Sequence, residues 1–296
     1  MILQEFKRCW KTKINIAILI TMLYLVTPAY FSNLYEREER LYNVERGTAL
    51  GYDMSDTLMQ LEGSSGGLYQ FESLLFLYSD VLFFTFVVFV IGAGINVAGG
   101  LFIALKTGYG TNIVTRISYK SYLRRVIVAQ FLYILTFLLT FFLVFLTGMF
   151  ILEGGAVEVS GLSRVSEDGN MSTSIYLLIL LVVVLYIIIC KALLILTASV
   201  SYVFLKNKYI IQFMPIGLYV GAYILFFIFG NLSNALNFLA TVLIFEQSFF
   251  SFRALFSWQV DGVSFAFAVL HPVFFFVIAL VLYKLNISKY GKNYLL

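Results

Sequence analysis

KTGYGTNIVTRISYKSYLRR, residues 106–125, carries five basic side chains, Lys106, Arg116, Lys120, Arg124 and Arg125, and no acid. It separates two strongly apolar runs, 81–105 and 126–152. A basic, acid-free loop between two spanning helices belongs on the cytoplasmic side of a membrane, so this stretch fixes the side of every other segment. Its local signals predict a helix. Thr111 or Asn112 supplies an N-cap after the glycines at 108 and 110. Arg116, Lys120 and Arg124 then recur at i, i+4, i+8 on one face. Val114 and Ile117 flank that face, with Ile113 nearby. Two roles fit: a positive-inside anchor, or a short helix that docks on a cytoplasmic partner.

Around this loop the composition is that of a membrane protein. Of 296 residues 61% are hydrophobic and 12% charged, where a soluble domain carries about a quarter charged residues. Cys9 lies in a basic segment and Cys190 in an apolar run, so no disulfide is expected. The single histidine, His271, does not make a multi-histidine metal site. No phosphate-binding loop of the G-x-x-x-x-G-K-[ST] kind occurs, so ATP, if it drives the protein, binds another chain.

In chain order, residues 1–13 form an amphipathic helix. Ile2, Leu3, Phe6, Cys9 and Trp10 make its apolar side, with Gln4, Glu5, Lys7, Arg8 and Lys11 opposite. It is expected to lie in the membrane interface with Trp10 at headgroup depth. The run at 14–31 is too long for a signal peptide and no small-residue cleavage site follows it, so it is expected to be the first span, with Pro28 near its far end, where a kink is tolerated. An acidic segment, 32–80, follows outside, with a short helix near Leu34, Leu41 and Val44 and a flexible break at 63–67. Span two is 81–105, where Gly92, Gly94, Gly99 and Gly100 permit close approach or a kink. Span three is 126–152, and an acidic outer loop occupies 153–173. Span four, 174–205, is long enough to tilt. Lys191 lies about 26 Å along it and is expected to snorkel to the inner interface. Span five is 209–230 and span six 263–283, before a basic tail at 284–296. Between them, 231–262 holds an apolar piece too short to span, followed by Glu246, Arg253 and Asp261. A re-entrant hairpin entering from outside keeps Lys284, Lys289 and Lys292 inside. Glu246 and Arg253 would sit at its water boundary as an outer gate. With this topology fifteen of the 20 Lys and Arg lie inside, and every acid except Glu5 lies outside.

Six spans, inner termini, an amphipathic entry helix, a basic helical loop after span two and a hairpin before span six resemble the permease subunit of ABC-2-type (type V) ATP-binding-cassette exporters. Residues 1–13, 110–125 and 231–262 carry the resemblance, together with TRISYKSYLRR, which is similar to the family's start of span three. The resemblance implies an all-α polytopic fold with an elbow helix (Phe6, Lys7, Arg8, Trp10), a coupling helix (Ile113, Val114, Arg116, Ile117, Lys120) and extracellular re-entrant helices. It implies a non-enzymatic subunit with no cofactor of its own. ATP and magnesium would sit on a dimer of cytosolic ATPase chains, beside a second permease chain and membrane lipid, with no nucleic acid. The expected location is the bacterial plasma membrane, and the expected cargo a hydrophobic or amphipathic molecule: a peptide, lipid-like or drug-like compound. The long segment 32–80 departs from members with short outer loops.

Other classes explain less. A secondary transporter or channel usually carries paired intramembrane charges or inverted repeats; here only Asp80, Lys191 and Glu246 approach the membrane. An intramembrane enzyme would need a partner for His271, which next to Pro272 reads as a packed or interfacial residue. An assembly or sensor subunit without transport is the remaining reading. The topology is tested with single cysteines placed at Ser64, Ser166 and Ser288. An impermeant maleimide on intact cells should label the first two and spare the third; labelling at 288 would overturn the six-span arrangement.

Overall fold

The computed structural model describes residues 2–10, 13–55, 57–58, 70–71, 75, 79–106, 117–153, 173–205, 207–229, 238, 242–245, 249, 252 and 262–291. The regular elements among the described residues are all helical, with no strand among them. The elements are α1 (Ile2–Trp10), α2 (Lys13–Ala49), α3 (Ser79–Ala93), a π turn (Gly94–Ala98), α4 (Gly99–Lys106), α5 (Tyr119–Glu153), α6 (Thr173–Val200), a 3₁₀ turn (Ser201–Val203), α7 (Lys208–Phe229) and α8 (Gly262–Gly291). Six helical segments are long and apolar enough to cross a membrane. Their large apolar side chains are exposed on the outside of the bundle, as at Ile16, Ile20, Leu143 and Phe227, where lipid rather than water would cover them.

Cross-chain contacts give the packing. Ile18 meets Gly92 and Asn15 meets Asn96, so α2 and α3 run antiparallel. Asn15 meets Tyr133 and Tyr30 meets Glu153, so α2 and α5 run parallel. Phe83 packs on Tyr219 while Gln212 reaches Ile95, which makes α3 and α7 antiparallel. Tyr186 reaches Ala268 and Thr197 reaches Phe275, so α6 and α8 are parallel.

The π turn organises the centre of this bundle. Widening one turn shifts the backbone ladder and leaves carbonyls short of partners; in hydrocarbon each such group must be satisfied within the protein. Gln212 Nε2 donates to the Ile95 carbonyl at 3.2 Å, and Gln130 Nε2 to the Val97 carbonyl at 3.1 Å. Ser199 Oγ donates in turn to Gln130 Oε1 at 2.8 Å. Asn96 Nδ2 donates to Asn15 Oδ1 at 2.7 Å, and the Tyr133 hydroxyl donates to the same oxygen at 2.6 Å. Five helical segments are thus tied at one level.

That polar layer has a second meaning. From it to the far end of the bundle, Asn96 back to Ser79, Tyr133 to Glu153 and Gln212 to Phe229 each cover about 26 to 30 Å of helix. This is the thickness of a bilayer's hydrocarbon core. On the other side of the layer α5 continues for about 21 Å, from Tyr133 back to Tyr119. There a second apolar cluster forms from Ala98, Leu101, Tyr119, Tyr122, Leu123, Val126, Ala198, Tyr202 and Ile211. It is distinct from the main cluster built on Phe86, Phe89, Phe137 and Phe141.

Pro28 and Pro272 are handled by the same rule. Pro28 lacks the N–H that would reach the Tyr24 carbonyl, and the Thr27 hydroxyl donates to that oxygen at 2.6 Å. Pro272 leaves the Ala268 carbonyl, which accepts from the Tyr186 hydroxyl at 2.8 Å. Both helices continue through their prolines.

Several expected boundaries change. Span one does not end at 31. α2 continues unbroken to Ala49, absorbing the short helix expected near 34–44, with Glu36 and Arg40 four residues apart on its surface. It stops where Gly51 adopts φ of 83° and Tyr52 N–H closes on the Gly47 carbonyl at 3.0 Å, the left-handed C-terminal residue that glycine permits. The helix expected within 106–125 is, over its described part, the start of α5: Ser118 Oγ accepts from Ser121 N–H at 3.3 Å and caps it. Span six runs two turns further than 283, to Gly291, because Asn286 and Lys289 donate to the Val200 and Val203 carbonyls at 2.6 and 2.8 Å. The expected hairpin at 231–262 lies largely outside the described residues.

Gly94 faces the backbone of α7. A Cβ there would stand 2.2 Å from the Gln212 carbonyl oxygen, whereas one at Gly217 meets nothing within 4 Å. Gly94→Ala should therefore cost about 1–3 kcal/mol by forcing α3 from α7, while Gly217→Ala should be neutral or gain up to about 1 kcal/mol. Thermal unfolding of the purified variants in detergent checks both; equal midpoints would contradict the close approach.

Candidate functional site

Two places gather polar or charged groups against the apolar bundle. The first surrounds α1. Residues 2–10 contain five apolar side chains at helical spacing, Ile2, Leu3, Phe6, Cys9 and Trp10, and α1 lies against α5. Trp10 packs on Tyr133 and Phe137, each with ring centroids 5.8 Å away, and its indole N–H donates to Thr136 Oγ1 at 3.1 Å. Asn15 Nδ2 donates to the Cys9 and Trp10 carbonyls at 2.7 and 3.0 Å, capping the end of α1 and fixing its angle to α2. α1 therefore sits at the polar layer, the border of the apolar slab, as an interfacial helix does.

Its polar side differs from expectation in one residue. Glu5 is buried, not on the water-facing side, because Arg8 Nε pairs with its carboxylate at 2.9 Å and the guanidinium lies over Gly100. Lys7 is exposed and Phe6 half-buried. Burial pushes the Cys9 thiol up to about 11, so it is unreactive at neutral pH. Cys190 is likewise buried, and both cysteines are free.

The second place is Lys191. Counting from the start of span four put it at the inner interface; the contacts put it elsewhere. Ser199 lies in the polar layer, and Lys191 is about 12 Å of helix further into the slab. That is near mid-membrane. The first turns of α6 extend beyond the slab, so the depth read from the loop was too great. Lys191 is 1% exposed and does not reach an interface. Its Nζ stands 3.5 Å from the ring centroid of Phe245, 3.8 Å from Tyr219 and 4.6 Å from Phe86. Three segments contribute: α3, α7 and the stretch between α7 and α8. Each ring face presents negative charge density to the ammonium, an attraction of about 2 kcal/mol when desolvated.

His271 belongs to the same neighbourhood. Its ring lies 5.9 Å from Phe245 and 5.1 Å from Phe275, and Nδ1 is 3.0 Å from the Val242 carbonyl. It is buried and packed, as its position beside Pro272 suggests. Val242, Ile244, Phe245 and Phe249 are all buried, so this part of the 230–261 connection enters the bundle. Tyr186 stacks on Phe252 with centroids 3.9 Å apart.

Of the residues assigned to partner docking, Lys120 is exposed on the first turn of α5 and Ile117 is half-buried against the second cluster. Ile113, Val114 and Arg116 lie outside the described residues, as do Glu246 and Arg253. The aromatic rings around Lys191 carry no motif and were not legible. The polar layer was hinted at by Asn15, Asn96, Gln130 and Gln212, amides isolated in apolar runs, where buried polar side chains mark helix contacts. No family model matches this chain, nor does any curated protein or solved structure.

Lys191→Glu sets a carboxylate against three ring faces and should lower stability by ~3 kcal/mol or more, whereas Lys191→Arg keeps the cation. Folded yield and thermal midpoint separate the two; a Glu variant as stable as wild type would contradict the ring geometry.

Proposed function

We propose that this chain is the membrane-spanning subunit of an ATP-driven exporter of the ABC-2 type, powered by separate cytosolic ATPase chains. The observation that carries the reading is the second apolar cluster. Past the polar layer α4, the start of α5, the end of α6 with its 3₁₀ turn and the start of α7 build a core of their own, with Tyr283, Ile287 and Tyr290 of α8 packed against it. A projection with its own core is a rigid platform, not a loose loop. Lys106, Lys120, Arg124, Lys208 and Lys284 are exposed around it, which is the cytoplasmic signature. The interfacial α1 and the entry of residues 242–245 into the bundle fit the elbow and re-entrant parts of the same reading. ATP would then close the ATPase pair, and movement of the platform would change the packing of the spans. Such coupling requires the platform to bind the two ATPase states with different affinity.

Because Ile117 packs on its own cluster, a charge there would disturb the platform itself. Ile113→Asp combined with Lys120→Glu is the cleaner test. The reading expects normal membrane level with loss of co-purifying ATPase, since a buried unpaired charge costs several kcal/mol at a joint. Undiminished recovery of the ATPase together with undiminished transport would overturn it.

A further inference from the structure

A cavity of about 180 Å³ lies where α1, α2 and α5 meet. Trp10, Ile16, Leu19, Phe137 and Thr140 line it, together with Lys13 at the start of α2. The polar layer gives its depth. Lys13 stands on the outer side of Asn15, while Thr140 is about 10 Å of helix beyond Tyr133, inside the apolar slab. The cavity therefore runs from headgroup level to the depth of acyl chains. Ile16 on its rim is 65% exposed, so it opens sideways to lipid rather than into the bundle. The other polar groups of the lining are engaged within the protein. Asn15 donates to the Cys9 and Trp10 carbonyls, the Trp10 indole to Thr136, and the Thr140 hydroxyl to the Thr136 carbonyl at 2.7 Å. What the lining offers an occupant is apolar wall and the exposed Lys13 ammonium. Lys7, also exposed, lies one turn before Trp10 on the same flank of α1, whereas Glu5 is turned inward on Arg8. The mouth is therefore basic and the interior apolar.

We propose that this cavity seats one acyl chain of an anionic phospholipid from the leaflet in which α1 lies, with the lipid phosphate on Lys13 and Lys7 drawing the headgroup to the mouth. Size favours a chain over a whole ligand. Pockets that enclose a drug-sized molecule measure about 300–1,000 Å³, so this one takes a stretch of chain and leaves the rest of the molecule in the bilayer. An unfilled void forfeits dispersion contacts along its walls, and a chain lying on Ile16, Leu19 and Phe137 restores them. The ammonium forms a charge-assisted hydrogen bond with the phosphate, and a headgroup of net negative charge adds an attraction that a zwitterionic one lacks. Surface lysines gather anionic lipid in general; the apolar cavity beneath Lys13 turns that attraction into a seat. Such a lipid fills the corner between α1 and α2 that Asn15 holds at a fixed angle. The site goes beyond the exporter reading and needs no ATPase.

Trp10 lines the cavity and so reports its occupant. Trp258→Phe leaves it as the one tryptophan of the chain. The full-length Trp258→Phe chain is placed in phosphatidylcholine nanodiscs with rising mole fractions of phosphatidylglycerol brominated in the upper part of one acyl chain. Quenching of Trp10 fluorescence is read against the same series with brominated phosphatidylcholine. Half-maximal quenching is expected at a mole fraction about fivefold lower for phosphatidylglycerol, the attraction of one surface lysine for an anionic lipid. Lys13→Glu should bring the two lipids toward parity, and Lys13→Arg should keep them apart. Thr140→Phe fills the cavity and should reduce quenching by phosphatidylglycerol to the phosphatidylcholine level. Equal quenching by the two lipids in the starting chain, or an undiminished preference in Lys13→Glu, would overturn the site. A preference unchanged by Thr140→Phe would mean that lipid gathers at the surface without entering, and would overturn the seat. Should Thr140→Phe fail to fold, Leu19→Phe fills the same cavity from α2 and decides in its place. Recovery of the ATPase with the platform variants is a separate measurement, so failure here and failure of the exporter reading are told apart.

Discussion

Backbone carbonyls with no water to turn to are the constraint from which this structure follows. The π turn, Pro28 and Pro272 each free backbone carbonyls, and side chains donate to them. Gln212 and Gln130 serve Ile95 and Val97, Tyr186 serves Ala268, and Thr27 serves Tyr24. Three of these four donors come from a different helix, so satisfying the backbone also fixes which helices are neighbours. Apolar side chains give little preference among neighbours in lipid, since tails and side chains are equally apolar. Hydrogen bonds supply the missing specificity at roughly 0.5–1.5 kcal/mol each.

The same bonds divide the bundle into two parts with separate cores. Above the polar layer, helices of bilayer length carry a core rich in phenylalanine around one buried lysine. Beyond it, tyrosines and aliphatic side chains build a second core without α1 or α2. Gln130 is central to the polar layer, joining the π turn to α6 through both ends of its amide.

Much of this was legible. Apolar runs locate all six spans, and the basic residues separate the two ends of the bundle. Helix ends were less so, because they depend on events outside the run. α2 passes 31 because nothing breaks it before Gly51, and α8 passes 283 because Asn286 and Lys289 find carbonyls at the end of α6. Lys191 shows the limit most clearly. Its distance along its own helix is a sequence property, but its depth depends on where that helix sits against the others. Glu5 was misplaced for a related reason: helical spacing assigns a face, and the Arg8 pairing that lets it be buried is invisible to spacing.

The unbroken α2 has a mechanical consequence. It is a rod of 37 residues, about 55 Å long. Asn15 hooks α1 to its foot, and the Tyr30 hydroxyl holds Glu153 near its middle at 2.5 Å. With Thr27 repairing the gap left by Pro28, no joint interrupts the rod between those two points. Both points are anchored on α5, Asn15 at Tyr133 and Tyr30 at Glu153, so α2 and α5 form one stiff strut across the apolar slab.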